Sequence, residues 1–325
     1  MRTRVVMVLA VAAILLGGVL VVPAAYAKFT GGDAADAAGP TPSGTPPTVP
    51  PTIVEPPQPT LAAAPVKVKV DGFFSWAMLD RRTGEISGSP NSAKATSSTE
   101  SMIKVWIVSD FLRRTQENGE TPSKSRLAQA SKAIRDSDDN AAGALYSAGG
   151  GTAVTRRMIK TCGLTNTRLG SVPGYVGWWS FTEMSAQDAA RLGQCVKEGK
   201  AAGPKWTPWV LAEMTKVRGT TAAKDQHETS GGGRWGIVDG LPKEILAQAP
   251  VSIKNGWTPL VYDGNWHISC LAISEDWVLA VQTRYPTSKG LKYGAGVCGN
   301  VATQLVTPKV GAALKMPAAS TGAQG

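Results

Sequence analysis

The sequence predicts an α+β fold, in which an antiparallel sheet is packed with helices and accompanied by an all-helical subdomain. The chain has 325 residues and is 42% hydrophobic, which is enough for a large core. Strand-like segments stand at both ends of the predicted domain, over residues 66–87 and 250–285. Helical periodicity fills the sequence between them. This order brings N- and C-terminal strands into one sheet around a helical insertion.

The predicted elements follow from local patterns. "VKVKVDGFFSWAMLD" alternates and is rich in Val and Phe, which predicts a strand, and "RRTGEIS" predicts a turn into a second strand. A helix that is buried on most sides begins at Glu100. Short helices over residues 123–161 break at Gly149–Gly151, and a helix over Ser185–Lys197 begins with the capping pair Ser185 and Asp188. We expect a further helix over residues 206–216, strands in "PVSIKNG", "NWHISCLAI" and "WVLAVQTRY", and a final helix over residues 294–306.

The N-terminus predicts export. Basic "MRTR" precedes an apolar run from Val5 to Val22, and Ala25-Tyr26-Ala27 is typical of a cleavage site. Residues 1–27 are therefore a signal peptide, or a signal anchor that holds the chain in the membrane through residues 5–22. Residues 28–66 predict a Pro-rich disordered linker, residues 67–308 the folded domain, and residues 309–325 a disordered tail. We expect a secreted or cell-envelope protein outside the cytoplasm.

The net charge and the cysteines indicate which partners, disulfides and metal sites to expect. The net charge of +10 has no nucleic-acid motif beside it, so we expect no nucleic-acid partner. Four cysteines in an exported chain indicate two disulfides, with three possible pairings. We prefer Cys162–Cys195 and Cys270–Cys298, because each pair falls within one stretch of the chain. Without C-x-x-C, and with only two histidines, the sequence predicts no metal site.

Three short motifs carry the candidate chemistry. They are S-x-x-K at residues 101–104, "SDD" at residues 137–139 and "KNG" at residues 254–256. In this order they resemble the active-site signature of the serine penicillin-recognising superfamily, which comprises class A β-lactamases and the D,D-peptidases called penicillin-binding proteins. "GFFSWAMLDRRTGEI", "CGLTNTRLG" and "RWGIVDGLP" extend the resemblance over about residues 70–306. It implies a β-lactamase/transpeptidase-like fold and a monomeric serine hydrolase that needs no cofactor and acts on β-lactams or on peptidoglycan-derived D-alanyl peptides.

The spacing of S-x-x-K has a chemical reason. Residues i and i+3 share a helix face, so Ser101 and Lys104 can meet. A lysine in an apolar helix loses hydration, which lowers its pKa and leaves a neutral amine able to take the serine proton. Alone, the same pair is also typical of a capped helix start with a snorkelling lysine.

The resemblance assigns further roles. Ser137 would relay a proton to the leaving nitrogen, and Lys254 would attract a substrate carboxylate. Asp139 stands where the family has a substrate-binding asparagine. The backbone N–H groups of Ser101 and Trp257 would form the oxyanion hole. Asn255 and Gly256 complete the substrate-binding strand, with Asn255 in place of a threonine.

Each companion motif also has a plainer interpretation. "SDDN" could simply cap a helix, and Asn255-Gly256 could be a turn. Most of the ten tryptophans would be core residues, although some could line a groove. Between residues 163 and 184 the only acidic residue is Glu183, so the glutamate that clears the acyl-enzyme in class A β-lactamases is missing.

Two functions therefore stay open. One is an acylating serine hydrolase with weak turnover. The other is a non-catalytic cell-envelope binding module that keeps the fold. A Ser-His-Asp hydrolase is disfavoured, because the sequence has no G-x-S-x-G and neither histidine lies in a recognisable motif.

Overall fold

The computed structural model describes residues 66–306. The expected signal segment, nearly all of the linker and the expected tail lie outside this range. In chain order the elements are β1 (Phe73–Asp80), β2 (Ile86–Gly88), β3 (Thr96–Ser98), a 3-10 helix (Glu100–Ile103), α1 (Lys104–Glu117), α2 (Lys124–Arg135), α3 (Asp139–Ala148), α4 (Thr152–Cys162), β4 (Thr167–Arg168), β5 (Glu183–Ser185), α5 (Ala186–Lys197), α6 (Gly203–Met214), α7 (Lys243–Gln248), β6 (Ser252–Leu260), β7 (Asn265–Ile273), β8 (Trp277–Pro286) and α8 (Gly290–Leu305).

The main sheet has five antiparallel strands in the order β2-β1-β8-β7-β6. β1 pairs with β8 along its whole length, so N- and C-terminal strands share one sheet, as the sequence predicts. The α+β class predicted from the sequence is confirmed. β6 is an edge strand, and its register with β7 places Thr258 opposite His267. The candidate site is built along this edge.

The helical part is organised around α1. Its residues Val105 to Val108 are all buried, and the indole nitrogen of Trp106 donates to the carbonyl oxygen of Val154 over 2.8 Å. Each large apolar side chain buried here contributes about 2 kcal/mol to stability. This packing fixes the start of α1, where the S-x-x-K motif lies.

A second, three-stranded sheet in the order β3-β5-β4 was not predicted from the sequence. Its strands have two or three residues each, too few for a period-2 pattern to be visible. It has a functional consequence, because β3 ends at Ser98 and leads directly into the 3-10 helix that carries Ser101.

Two other expectations need correction. Residues 66–72 form no strand, although "VKVKV" alternates, and β1 begins only at Phe73. Asn255-Gly256 is not a turn, since both residues lie inside β6 and pair with Cys270 and Ser269. The backbone hydrogen bonds between β6 and β7 outweigh the local preference of this dipeptide for a turn.

The two disulfides join Cys162 to Cys195 and Cys270 to Cys298, the pairing preferred from the sequence. The first links the end of α4 to α5, and the second links β7 to α8. Over residues 66–306, no helix is long and apolar enough to cross a membrane.

Candidate active site

The S-x-x-K residues lie at the start of the buried helix. Ser101 is on the 3-10 helix and lines an open cleft, while Lys104 is the first residue of α1 and is fully buried. No hydrogen bond among the described residues joins Ser101 to the Lys104 amine. The structure therefore brings the two residues into one short segment, with the amine directed to other partners.

Those partners come from the loop before α3. Lys104 Nζ donates to Asp139 Oδ1 over 2.5 Å, to Ser137 Oγ over 3.3 Å, and also to the Ser137 carbonyl oxygen. It lies 5.0 Å from the ring centroid of Trp179. Burial lowers the pKa of Lys104, and the neighbouring Asp139 opposes this shift. The site thus contains a lysine with a lowered pKa whose charged form a carboxylate supports.

The "SDD" segment both caps helix α3 and places polar side chains beside Lys104. Asp138 is the N-cap of α3 and accepts from the Ala141 backbone N–H over 2.7 Å. Ser137 is buried and adopts φ of +53°, a strained conformation for a residue other than glycine. This backbone twist, followed by the cap, directs Ser137 and Asp139 towards the lysine.

Lys254 approaches the same serine from β6. Its Nζ donates to Ser137 Oγ over 2.9 Å and to the Asn255 carbonyl oxygen over 2.8 Å. Burial lowers the pKa of Lys254 well below its usual value, and the charge of Lys104 lowers it further. Ser137 therefore bridges two buried amines, which is a suitable position for moving a proton between them.

Gly256 explains how β6 comes so close to Ser101. A Cβ added at Gly256 would lie 2.7 Å from the Ser101 backbone nitrogen and 2.4 Å from the Thr99 carbonyl oxygen. No side chain fits there, so only glycine permits this approach. The next residue, Trp257, is thereby placed beside the Ser101 segment.

Asn255 and Trp257 face the other side of the strand. The Asn255 amide donates to the carbonyl oxygens of Gly233 and Trp235, over 3.0 and 2.7 Å. Asn255 is buried and does not line the cleft, so its predicted substrate contact is replaced by support of the 233–235 loop. Trp257 does line the cleft, and its indole nitrogen donates to Gln226 Oε1 over 2.9 Å.

The cleft has a volume of about 890 Å³ and a largely aromatic wall. Trp178 and Trp179 lie with ring centroids 5.7 Å apart, where the sequence has "YVGWW". The exposed large apolar side chains of the described chain all belong to the two loops at this cleft: Tyr175, Val176, Trp178, Val261 and Tyr262. Some tryptophans thus line a groove, while others, including Trp106 and Trp235, are core.

Glu183 takes no part in the cleft. It lies in β5, accepts from Thr96 Oγ1 over 2.8 Å and pairs with Arg168 at 3.9 Å. The acidic side chains that line the cleft are Glu100, Asp139 and Glu228. The loop lacks the deacylating glutamate, as the sequence indicates, and Trp178 and Trp179 line the cleft there instead.

Two residues of the site were not predicted from the sequence, namely Glu100 and Thr258, whose side chains share a 2.6 Å hydrogen bond. Trp179 is one of the tryptophans that could line a groove, but its position facing the Lys104 amine was not predicted. The only available signal for Glu100 was its charge, directly before Ser101. Glu100 also has positive φ (+47°), and with Ser137 it makes up the non-glycine residues of this kind over residues 66–306. Within that range, no cluster of His, Cys, Asp and Glu could hold a metal ion.

Comparisons with known proteins relate this chain to the β-lactamases. A sequence model of the Beta-lactamase enzyme family matches residues 119–224. The "Putative lipoprotein LppW" of Mycobacterium tuberculosis is 27% identical over 216 residues. The match spans 66% of this chain and 63% of that relative's length.

Solved structures show the same fold. A β-lactamase from Xanthomonas campestris superposes with a TM-score of 0.55 at 15% identity, over 72% of this chain and 91% of that one. A class A β-lactamase from Mycobacterium abscessus gives 0.52 at 16% identity, over 72% and 92%. The chain has the fold of the class A β-lactamases, and these comparisons support its relation to the serine β-lactamase-like superfamily.

Proposed function

We propose that this protein is an exported serine hydrolase that transfers acyl groups through Ser101, from β-lactams or D-alanyl peptides, with slow release of the acyl group. The observation that carries the proposal is the cluster of Lys104, Ser137 and Lys254 next to a cleft-lining serine. Burying two amines that share one hydroxyl lowers the stability of the fold, so a structural role does not explain them. Acid–base chemistry gives this arrangement a reason.

The roles follow from position. Ser101 attacks the carbonyl carbon, and its proton passes to the Lys104 amine. Ser137, within 3.3 Å of Lys104 Nζ and 2.9 Å of Lys254 Nζ, returns a proton to the leaving nitrogen. Lys254 would attract a substrate carboxylate in its protonated form, although burial lowers its pKa well below the usual value. The N–H groups of Ser101 and of Trp257, the residue after Gly256, would stabilise the oxyanion.

Slow deacylation follows from the walls of the cleft. Glu183 is bound to Thr96 away from it, and Trp178 and Trp179 line the wall. Asp139 is engaged by Lys104 at 2.5 Å. A water molecule that attacks the acyl-enzyme would therefore meet no carboxylate in the position that class A β-lactamases use.

One observation favours the second candidate, a non-catalytic envelope binding module. The Lys104 amine is paired with Asp139 and has no hydrogen bond to Ser101. An ammonium ion held in this way cannot accept the serine proton. The name of the lipoprotein relative supports a cell-envelope location under either proposal.

Labelling with a fluorescent penicillin separates the two candidates. We expect covalent labelling of the full chain and its complete loss in Ser101→Ala. Ser180→Ala is the matched control, because Ser180 also lines the cleft and should keep full labelling. Absence of labelling in a folded wild-type protein would favour the binding module, and labelling of Ser101→Ala would exclude Ser101 as the nucleophile.

A further inference from the structure

A chain of short hydrogen bonds runs behind the proposed nucleophile, from a surface turn to the residue that precedes the serine. Asp263 Oδ2 lies 2.7 Å from His267 Nε2, and His267 Nδ1 lies 2.6 Å from Ser98 Oγ. Ser98 Oγ lies 2.6 Å from Glu100 Oε1, and Thr258 Oγ1 lies 2.6 Å from Glu100 Oε2. Ser98, Glu100 and His267 are buried, which shields the two contacts of Ser98 from bulk water.

The donors and acceptors in this chain can be counted. Burial is the largest single effect on the pKa of Asp263 and raises it, but the hydrogen bonds to His267 and Asn265 and the charge of His267 together lower the pKa below its usual value, so Asp263 is anionic. His267 Nε2 must then carry a hydrogen to donate. Ser98 has a single hydroxyl hydrogen and two close neighbours, Glu100 Oε1 and His267 Nδ1. Both contacts can be hydrogen bonds only if one more proton is present.

That proton has two possible locations. With the proton on His267, Nδ1–H donates to Ser98 and Ser98 donates to an ionised Glu100. With the proton on Glu100, its O–H donates to Ser98 and Ser98 donates to a neutral His267. The heavy atoms need not move between the two states, and the total charge is the same.

Burial decides between them. It lowers the pKa of His267 and raises the pKa of Glu100 to about 7. An imidazolium and a carboxylate, both buried, cost more than a neutral pair unless their attraction compensates. The proton is therefore on Glu100 below about pH 7.

We propose that Glu100 is kept neutral by a proton that it shares with His267 through Ser98, and that this neutral carboxyl is a positioning residue for the oxyanion site. The inference deepens the proposed function and rests on it. Glu100 directly precedes Ser101, and Thr258 directly follows Trp257. The Glu100–Thr258 hydrogen bond thus ties together the two segments whose N–H groups would face the oxyanion.

The charge of Glu100 then affects the reaction. A carboxylate at this place would repel the negative charge that develops on the attacked carbonyl oxygen. A neutral carboxyl keeps the same hydrogen bond to Thr258 without that repulsion. The strained backbone of Glu100, with φ of +47°, is maintained by this network and is consistent with a functional constraint.

The connectivity Ser98–His267–Asp263 is that of a hydrolase triad, but it is not a second active site. Ser98 is buried and lies outside the cleft, where no substrate reaches it. Ser98 instead connects His267 to Glu100, through which the chain of hydrogen bonds continues.

Other charged groups around this network act on the same equilibrium. The anions Asp139 and Glu183 raise the pKa of Glu100, and the cation Arg284 lowers the pKa of His267. Glu183 also acts on His267, raising its pKa. Lys104 of α1 and Tyr262 of the β6–β7 turn are further ionisable neighbours, because the charge of Glu100 raises the pKa of each.

Histidine NMR on the full chain tests where the proton resides, independently of any activity. The chain has two histidines, His227 and His267, so His227→Gln assigns both imidazoles. At pH 6 we expect His267 to be neutral, with hydrogen on Nε2 alone. As the pH passes about 7 its Nδ1 signal should shift when Glu100 loses the shared proton, and Glu100→Gln should abolish that shift. A cationic His267 at pH 6, or the same shift in Glu100→Gln, would overturn the proposal.

Ser98→Ala provides a second test should Glu100→Gln fail to fold. Without the hydroxyl bridge, the step in the His267 signal near pH 7 should disappear while Glu100 is still present. An unchanged step in this variant would overturn the idea of a shared proton.

Penicillin labelling tests the positioning role. We measure the acylation rate of wild type and Glu100→Gln from pH 6 to pH 9 and compare their ratio. The ratio of the Glu100→Gln rate to the wild-type rate should rise about 10-fold from pH 6 to pH 9, because the side chain of the variant cannot become anionic. A constant ratio would overturn the positioning role. Absence of labelling in both proteins would instead overturn the proposed function, and the NMR result would still decide the location of the proton.

Discussion

Asp139 Oδ1 lies 2.5 Å from Lys104 Nζ, so the amine expected to act as base is engaged by a carboxylate. The two effects on Lys104 oppose each other, since burial lowers its pKa and Asp139 raises it. An asparagine at position 139 would leave the burial effect in place and remove the opposing charge. The aspartate therefore favours the protonated, non-basic form of Lys104.

Asp139→Asn should make the protein a faster acylating enzyme. Loss of the negative charge lowers the pKa of Lys104, so a larger fraction of the amine is neutral at pH 7. We expect about a 10-fold higher rate of penicillin labelling at pH 7, with the acid limb of the pH profile moved to lower pH. The matched control is Glu228→Gln, which removes another carboxylate that lines the cleft. A slower Asp139→Asn, with Glu228→Gln unchanged, would assign Asp139 itself to the proton transfer.

Gly256→Ala should close the oxyanion site. The added Cβ would lie 2.4–2.7 Å from backbone atoms of Thr99, Ser101 and Met102, so β6 or the 3-10 helix must move. We expect a loss of about 1–3 kcal/mol in the free energy of unfolding and loss of labelling. Gly296→Ala is the control, because nothing lies within 4 Å of the added Cβ in α8, and stability should rise slightly. Full labelling of Gly256→Ala would contradict the position assigned to the oxyanion hole.

Glu100 should give the protein a specific dependence of stability on pH. Its pKa is raised from 4.5 to about 7, so the native state binds a proton that the unfolded state releases between these values. Stability contributed by this group is present below the unfolded pKa and is lost as the pH rises through the folded pKa. The loss amounts to about 3 kcal/mol, and it should be absent in Glu100→Gln. Urea unfolding of both proteins at pH 5 and pH 8 measures it, and equal changes in the two would refute it.

The disulfides should differ in their effect on the site. They close stretches of 33 and 28 residues, and removal of either should cost about 3–4 kcal/mol. Replacing Cys162 and Cys195 by alanine should leave the labelling rate unchanged in the folded protein. Replacing Cys270 and Cys298 should lower the rate as well, because Gly236 packs on that disulfide next to the loop that Asn255 holds. Equal labelling in both double variants would show that this loop is not coupled to the site.

Long periodic segments were predictable from the sequence. The strands that became β1, β6, β7 and β8 and the helix that became α1 carry enough apolar residues for the pattern to be clear. The order of S-x-x-K, "SDD" and "KNG" predicted that Lys104, Ser137 and Lys254 would meet, and the structure places them within hydrogen-bond distance through Ser137.

Contacts between distant, short elements were not predictable. Ser98 and His267 are 169 residues apart, and their hydrogen bond depends on the three-residue strand β3. The orientation of Asn255 depends on which face of β6 meets the 233–235 loop, and the sequence of the strand does not specify that. The Lys104–Asp139 pair depends on the backbone twist at Ser137, a residue type that seldom adopts positive φ.

The most direct test of the central claim is intact-mass spectrometry of the full chain during incubation with a penicillin, followed by peptide mapping of the product. We expect one adduct per chain, located on Ser101, that forms and then persists because no carboxylate among residues 66–306 takes the position that class A β-lactamases use to activate water. A folded protein that gains no mass, or an adduct on any residue other than Ser101, would contradict the account.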